Sequence, residues 1–143
     1  MRLDDSARAL IGSGANATLV TLNADGSPQV SVVWVVLEST PDGDELVSAH
    51  LSEKYKKVRN VRRDGRVAVT IIAKDRGSEM VEPYLAINGT ARITEGGAPE
   101  LLSRITAAVA PEHVGQFPPA GAPPGFLTRI RIEKVGGVGP WAG

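Results

Sequence analysis

The residues best suited to chemistry lie in one stretch, Glu45 to Ile72, which reads ELVSAHLSEKYKKVRNVRRDGRVAVTII. Its pattern is a strand, a basic helix, a turn and a second strand. Ser52 is the expected N-cap, and Glu53 suits the positive end of the helix dipole. Leu51, Tyr55, Val58 and Val61 form an apolar stripe at helical spacing, and Lys54 and Lys57 lie one turn apart along its edge. Free backbone N–H groups at a helix start, with two lysines beside them, make an anion site, and phosphate is the natural ligand. The same run, from Lys54 through Lys56, Lys57, Arg59, Arg62 and Arg63 to Arg66, also fits a solvated helix face. A nucleic-acid patch fits less well, because valines interrupt the run at core spacing and the chain has zero net charge.

The rest of the inventory narrows the chemistry further. Cysteine is absent, which removes disulfides, thiolate catalysis, iron–sulfur clusters and cysteine-bound zinc. Two histidines, His50 and His113, argue against a histidine-rich metal site, and no nucleophile or triad stands out. His50 at a strand end reads as bonded to backbone, and His113 as solvent-exposed in a Pro-rich loop. Trp34 is either barrel packing or a ring-stacking partner. Asn60 reads as structural, either a cap or a bond to a neighbouring loop. The polar N-terminus lacks a signal-peptide core and no apolar run reaches spanning length, so a soluble cytoplasmic protein is expected, without membrane or nucleic-acid partners.

The elements that would position these groups follow from periodicity and turn chemistry. With 143 residues, 42% of them hydrophobic, the chain suffices for one domain with a core; at 4% aromatic, that core is Val, Ile, Leu and Ala. Leu3 to Ile11 reads as a short helix stopped by Gly12 and Gly14. ATLVTLN and PQVSVVWVVLE flank Asp25–Gly26, a hairpin signal, and both faces of the second run are partly apolar, as in a barrel wall covered outside. A third strand follows the Pro41–Asp42–Gly43 turn. After the basic helix come RVAVTIIAK, a loop DRGSEMVEP, and YLAINGTARI, where Gly89 marks a bulge or a close backbone approach. PELLSRITAAV is an amphipathic helix from Pro99 to Val109, APEHVGQFPPAGAPPGF a loop, and FLTRIRIEKV the last strand. The tail GGVGPWAG leaves Trp141 either disordered or folded over a cleft. Hairpin connections favour a mainly β, six-stranded antiparallel barrel with short helices, spanning residues 1–143 as one domain.

Three stretches give this order a family likeness. ATLVTLNADGSPQVSVVW, KKVRNVRRDGRVAV and YLAINGTARI together resemble the split β-barrel flavin-binding superfamily of pyridoxamine 5'-phosphate oxidase-like proteins, and look closest to its coenzyme F420 branch. The middle stretch is similar to the family's K-x-R-N-L-x-R-D-P-R-V-x-V signature, with Val61 for leucine and Gly65 for proline. The terminal RIRIEKVGGVGPW also fits. An arginine often found near the position of Tyr55 is missing. The alanine-, glycine- and arginine-rich composition is common in high-GC bacteria such as actinobacteria.

The resemblance implies a homodimer with two cofactor clefts at the subunit interface. It implies that Lys57 binds the coenzyme phosphate, with Lys54 and Tyr55 at the helix start beside it. Ser31, Val32, Val33 and Trp34 would flank the ring of the cofactor through their backbone, and Ser48, Ala49 and His50 would border its ribityl chain. The implied activity is an oxidoreductase that transfers hydride from reduced F420 to a small electrophile: a C=C bond, an imine or a quinone-like group. His50 and Tyr84 are the candidate proton donors, and solvent is the other source. The alternatives are an FMN-dependent oxidase or reductase of the same fold, and a non-catalytic protein that binds F420 or a flavin.

Overall fold

The computed structural model describes residues 1–74, 80 and 82–142; most of the expected DRGSEMVEP loop lies outside them. Six strands close into one antiparallel barrel: β1 (Ala15–Leu22), β2 (Pro28–Thr40), β3 (Gly43–His50), β4 (Arg66–Ile72), β5 (Tyr84–Glu95) and β6 (Phe126–Val138). Around the barrel the order is β1-β2-β3-β6-β5-β4. Helix α1 (Asp5–Ile11) precedes β1, α2 (Lys56–Arg63) joins β3 to β4, and α3 (Ala98–Val109) joins β5 to β6. The expected mainly β, six-stranded barrel is therefore what the chain forms.

Local chemistry accounts for the element boundaries. Helix α1 begins two residues later than the apolar pattern implies, because the Asp4 carboxylate takes the Ala7 amide at 2.9 Å and so caps the first turn. The β1–β2 hairpin turns where expected, with Gly26 at φ 86° and the Asp25 carboxylate accepting from the Ser27 amide. The register of β5 against β6 shifts between Asn88 and Gly89, and a Cβ at Gly89 would run into the carbonyl oxygen of Arg131. Only glycine allows that approach.

The interior is aliphatic, as the composition requires. Leu19, Val35, Leu46, Ile71, Leu85, Ile87, Ile130 and Ile132 are fully buried, joined by Ala7 and Ile11 of α1 and Val61 of α2. Each such side chain contributes about 1.5–3 kcal/mol. A second cluster lies outside the wall, where Val36, Val47 and Leu127 meet Leu101 and Ile105 of α3, with Trp34 packed against them. One half of β2 is thus covered on both faces, as its sequence suggested. The other half is not: Val30 and Val32 leave 61% and 70% of their surface exposed.

The N-terminus is tied down by one buried carboxylate. Asp44 accepts from the Leu3 amide at 2.8 Å, from Arg8 at 2.6 Å and from the Ser39 hydroxyl at 3.1 Å. Burial pushes its pKa up, but the Leu3 amide, Ser39, Arg8 and Arg2 outweigh that and hold the carboxyl below its ordinary value.

Trp141 is folded rather than free. Its indole N–H donates to the Tyr84 carbonyl at 2.8 Å, and its ring packs on the barrel core. Strand β6 runs on to Val138, three residues beyond the expected end.

Candidate functional site

The barrel is split between β2 and β3. Their pairing runs from Thr40 and Gly43 to Val36 and Val47, and stops there. Beyond that point β2 continues against β1 as far as Pro28, and β3 continues against β6 as far as His50. The two strands diverge, and their facing edges leave backbone amides and carbonyls without a strand partner. A cleft of about 230 Å³ occupies the divergence, bounded by Val32, Val33 and Trp34 on one side and Ser48, Ala49 and His50 on the other. Tyr55 and Lys57 close one end of it, and Leu102 and Phe117 line the other part of its wall.

Alternation along β3 explains the polar wall. Leu46 points into the aliphatic interior, and Ser48 and His50 share its parity, so they follow it inward at the barrel's end. His50 is 3% exposed, and its Nε2 lies 2.7 Å from the Thr128 hydroxyl of β6. Burial, and then the nearby Lys57 charge, bring its pKa down to about 4. The imidazole is therefore neutral at pH 7. It can hold a hydrogen bond there, but it carries no imidazolium proton to give.

Helix α2 begins later than the sequence implied. Ser52 does not cap it: its hydroxyl accepts from the Lys54 amide at 3.1 Å in a turn that precedes the helix, and Tyr55 stands at the N-cap position. A serine hydroxyl that bonds two residues ahead competes with helix initiation. Leu51, Lys54 and Tyr55 consequently fall outside the helix, and the stripe reduces to buried Val58 and Val61. Lys54 is exposed and does not line the cleft, whereas Lys57, in the first turn, does. Among the described residues the Lys56 and Lys57 amides make no backbone hydrogen bond, as expected for a first turn.

Lys57 is the cation of the cleft. Its Nζ sits 5.0 Å from the centre of the Tyr55 ring, and partial burial lowers its pKa. No carboxylate is among the lining residues, and among the described residues none pairs with it. The orientation of α2 is set at its other end. Asn60, buried, donates to Thr21 and to Asn23 of the β1–β2 hairpin, both at 3.0 Å, and Arg63 donates to the Leu22 carbonyl at 2.6 Å. Of the two structural roles the sequence leaves open for Asn60, a cap or a bond to a neighbouring loop, its side chain takes the second.

Ser31, Tyr84 and His113, also candidates from the sequence, do not line the cleft. Ser31 shares the inward parity of Val33, and its hydroxyl is buried without a partner among the described residues. Tyr84 opens β5, opposite Ile72 of β4 and Val138 of β6, and is not a lining residue. His113 is exposed beside Glu112. Trp34 lies on the outer face of the wall, against the α3 cluster. Sequence reasoning missed Leu102 and Phe117. Leu102 falls within an amphipathic helix, where an apolar residue reads as packing, and Phe117 sits in a loop with no signal for which side chain turns back. Among the described residues no group of three or more acidic or histidine side chains converges as a metal site would require.

The model of the family described as pyridoxamine 5'-phosphate oxidase matches residues 3–139. The chain belongs to the pyridoxamine 5'-phosphate oxidase family. Solved structures agree on the fold. A conserved hypothetical protein of Mycobacterium tuberculosis is 20% identical, with a TM-score of 0.67 over 96% of this chain and 85% of that one. An F420 reductase is 21% identical, with a TM-score of 0.60 over 90% of this chain and 94% of that one. The General Stress Protein 26 of Bacillus anthracis is 18% identical, with a TM-score of 0.61 over 91% of this chain and 88% of that one. The family includes oxidoreductases, and its fold takes flavin-type cofactors. No helix among the described residues is long and apolar enough to cross a membrane.

Proposed function

We propose that this protein is an oxidoreductase that uses reduced coenzyme F420 as hydride donor to a small electrophilic substrate. The observation that carries the reading is Lys57. It is a partly buried cation with no carboxylate partner among the described residues, next to free first-turn amides, at one end of a slot with backbone edges along it. That arrangement suits a phosphate at one end and a flat heteroaromatic ring along the β2 edge. When bound, such a cofactor supplies the hydride chemistry. The chain's own residues would bind and orient it. Lys57 and the α2 amides hold the anion, the Val32–Trp34 edge offers hydrogen bonds to the ring, and Ser48, Ala49 and neutral His50 border the chain between them. A solved F420 reductase shares the fold, and FMN is the alternative cofactor.

The site is completed, on this reading, by a second copy of the chain. One cleft of about 230 Å³ is smaller than the ~300–1,000 Å³ typical of cofactor sites. Beside it the outer face of the sheet carries Val30 and Val32, largely exposed, next to Val20 of β1 and Ala68 of β4 in register. A homodimer across this face would cover that apolar patch and wall the cleft.

The test is a titration of the purified protein with F420 and, separately, with FMN, followed by tryptophan quenching. Tight F420 binding with weak FMN binding is the expected result. Preferential FMN binding would move the protein to the alternative, a flavin-dependent oxidase or reductase. Binding of neither would refute the cofactor reading.

A further inference from the structure

A second cavity, of about 530 Å³, lies where the end of α1, the residues after β4, the last turn of α3 and Trp141 come together. It shares no lining residue with the β2–β3 cleft. Its volume falls within the ~300–1,000 Å³ typical of small-molecule sites. Small residues keep it open, among them Ala9, Gly12, Gly14, Ala73 and Ala108. Trp141 is held at its edge by more than packing. The indole N–H donates to the Tyr84 carbonyl at 2.8 Å, and a Cβ at Gly137 would collide with that same oxygen. A Cβ at Gly139 would collide with the neighbouring edge of the indole. Two glycines with positive φ, 101° and 144°, therefore let the tail turn the ring into place. One edge of the ring is spent on the protein, and the rest of it lines the cavity.

The polar groups of the lining define what would fill it. Lys74 is its only charged side chain, and no carboxylate pairs with it among the described residues. The carbonyls of Ala9 and Leu10, in the last turn of α1, are also free among the described residues. The Gly12 amide turns back to Arg8 and the Gly14 amide to Ile11, so neither reaches them. The hydroxyls of Ser6 and Ser13 stand beside these carbonyls in the lining. A ligand that satisfies the cavity carries an anionic group for Lys74 and an O–H or N–H donor for the helix end. Between the two it needs a flat apolar body, to lie against Trp141 and Leu10.

We propose that this cavity is a second ligand site, and that it takes a flat aromatic carboxylate bearing a hydroxyl or amino donor. The site stands apart from the β2–β3 cleft, so the inference does not rest on the cofactor reading. The test is isothermal titration calorimetry of the full chain with 6-hydroxy-2-naphthoate, in the absence of F420 and FMN. Two further probes dissect the ligand: 2-naphthol lacks the acid, and 2-naphthoate lacks the donor. Saturable binding of one hydroxynaphthoate per chain is expected, with each of the other probes at least about threefold weaker. Lys74→Gln should weaken the hydroxy acid about fivefold, a modest factor because the lysine is exposed, and leave 2-naphthol unchanged. Ala108→Phe should abolish binding by filling the cavity, with the urea midpoint unchanged, since Ala108 is exposed on α3. Lys57→Ala should bind the hydroxy acid as the unaltered protein does, because Lys57 belongs to the other site. Three results would each overturn the proposal. These are no saturable binding, 2-naphthol bound as tightly as the hydroxy acid, and affinity unchanged in both Lys74→Gln and Ala108→Phe. Loss of binding in Lys57→Ala would overturn it too, by placing the probe in the β2–β3 cleft.

Discussion

Acid should destabilise this protein through His50 before its carboxylates titrate. The ring is 3% exposed, held against Thr128, and its pKa lies near 4 instead of the ordinary 6.5. The unfolded chain therefore takes up the histidine proton first as pH falls. Above about pH 6.5 the group contributes no pH dependence. Between 6.5 and 4 the folded state loses stability progressively, and below 4 both states are protonated and the loss levels off. At pH 4.5 the expected loss is about 2–3 kcal/mol, from 1.36 kcal/mol for each unit of pKa difference across the window already traversed. Urea unfolding at fixed protein concentration, followed by intrinsic fluorescence from pH 7.5 to 4.5, measures it. The comparison is with His50→Gln, which keeps a neutral partner for Thr128 and has nothing to protonate. Every carboxylate is common to both proteins, so the difference between the two curves isolates the imidazole. Parallel curves for the two proteins over this range would refute the reasoning, since they would mean that burial does not hold the ring neutral.

Two further perturbations probe the rest of the argument. Lys57→Ala should weaken cofactor binding by about 1–3 kcal/mol, the usual worth of one charge-assisted bond, read in the same fluorescence titration; unchanged affinity would remove Lys57 from the anion site. Asp44→Ala should lower stability by about 2–4 kcal/mol in denaturant unfolding, because the Leu3 amide and the Arg8 guanidinium lose a buried acceptor together. An effect within 0.5 kcal/mol would show that the N-terminus is held by apolar packing alone.

The residues of the cleft divide by how their positions were determined. Alternation, turn residues and the Asp25–Gly26 hairpin made six antiparallel strands legible, because each is a local property that survives in the folded chain. Gly89 was legible for the same reason. The cleft was legible where the quoted family stretches covered it, around Lys57 and along Val32 to Trp34, and at Ser48 to His50 only through their place at the end of the third strand. The start of α2 was not. Ser52 has the right residue type for an N-cap, and only the folded backbone shows its hydroxyl spent on the Lys54 amide, which moves Lys54 and Tyr55 out of the helix.

By itself, then, the sequence determined a mainly β barrel, an aliphatic core, chemistry without thiols, and a basic segment able to meet an anion. Which basic residue faces the cleft was decided by tertiary structure, since Asn60 and Arg63 orient α2 through bonds to a hairpin some forty positions earlier. So was the neutrality of His50, which follows from β3 turning its even positions inward at the barrel's end and from Thr128, 78 residues away, meeting the ring there. So was the contact between the Phe117 and Trp34 rings, which meet at the cleft from distant parts of the chain. Local patterning encodes what each segment is. Burial, protonation and the meeting of distant side chains exist only once the barrel has closed.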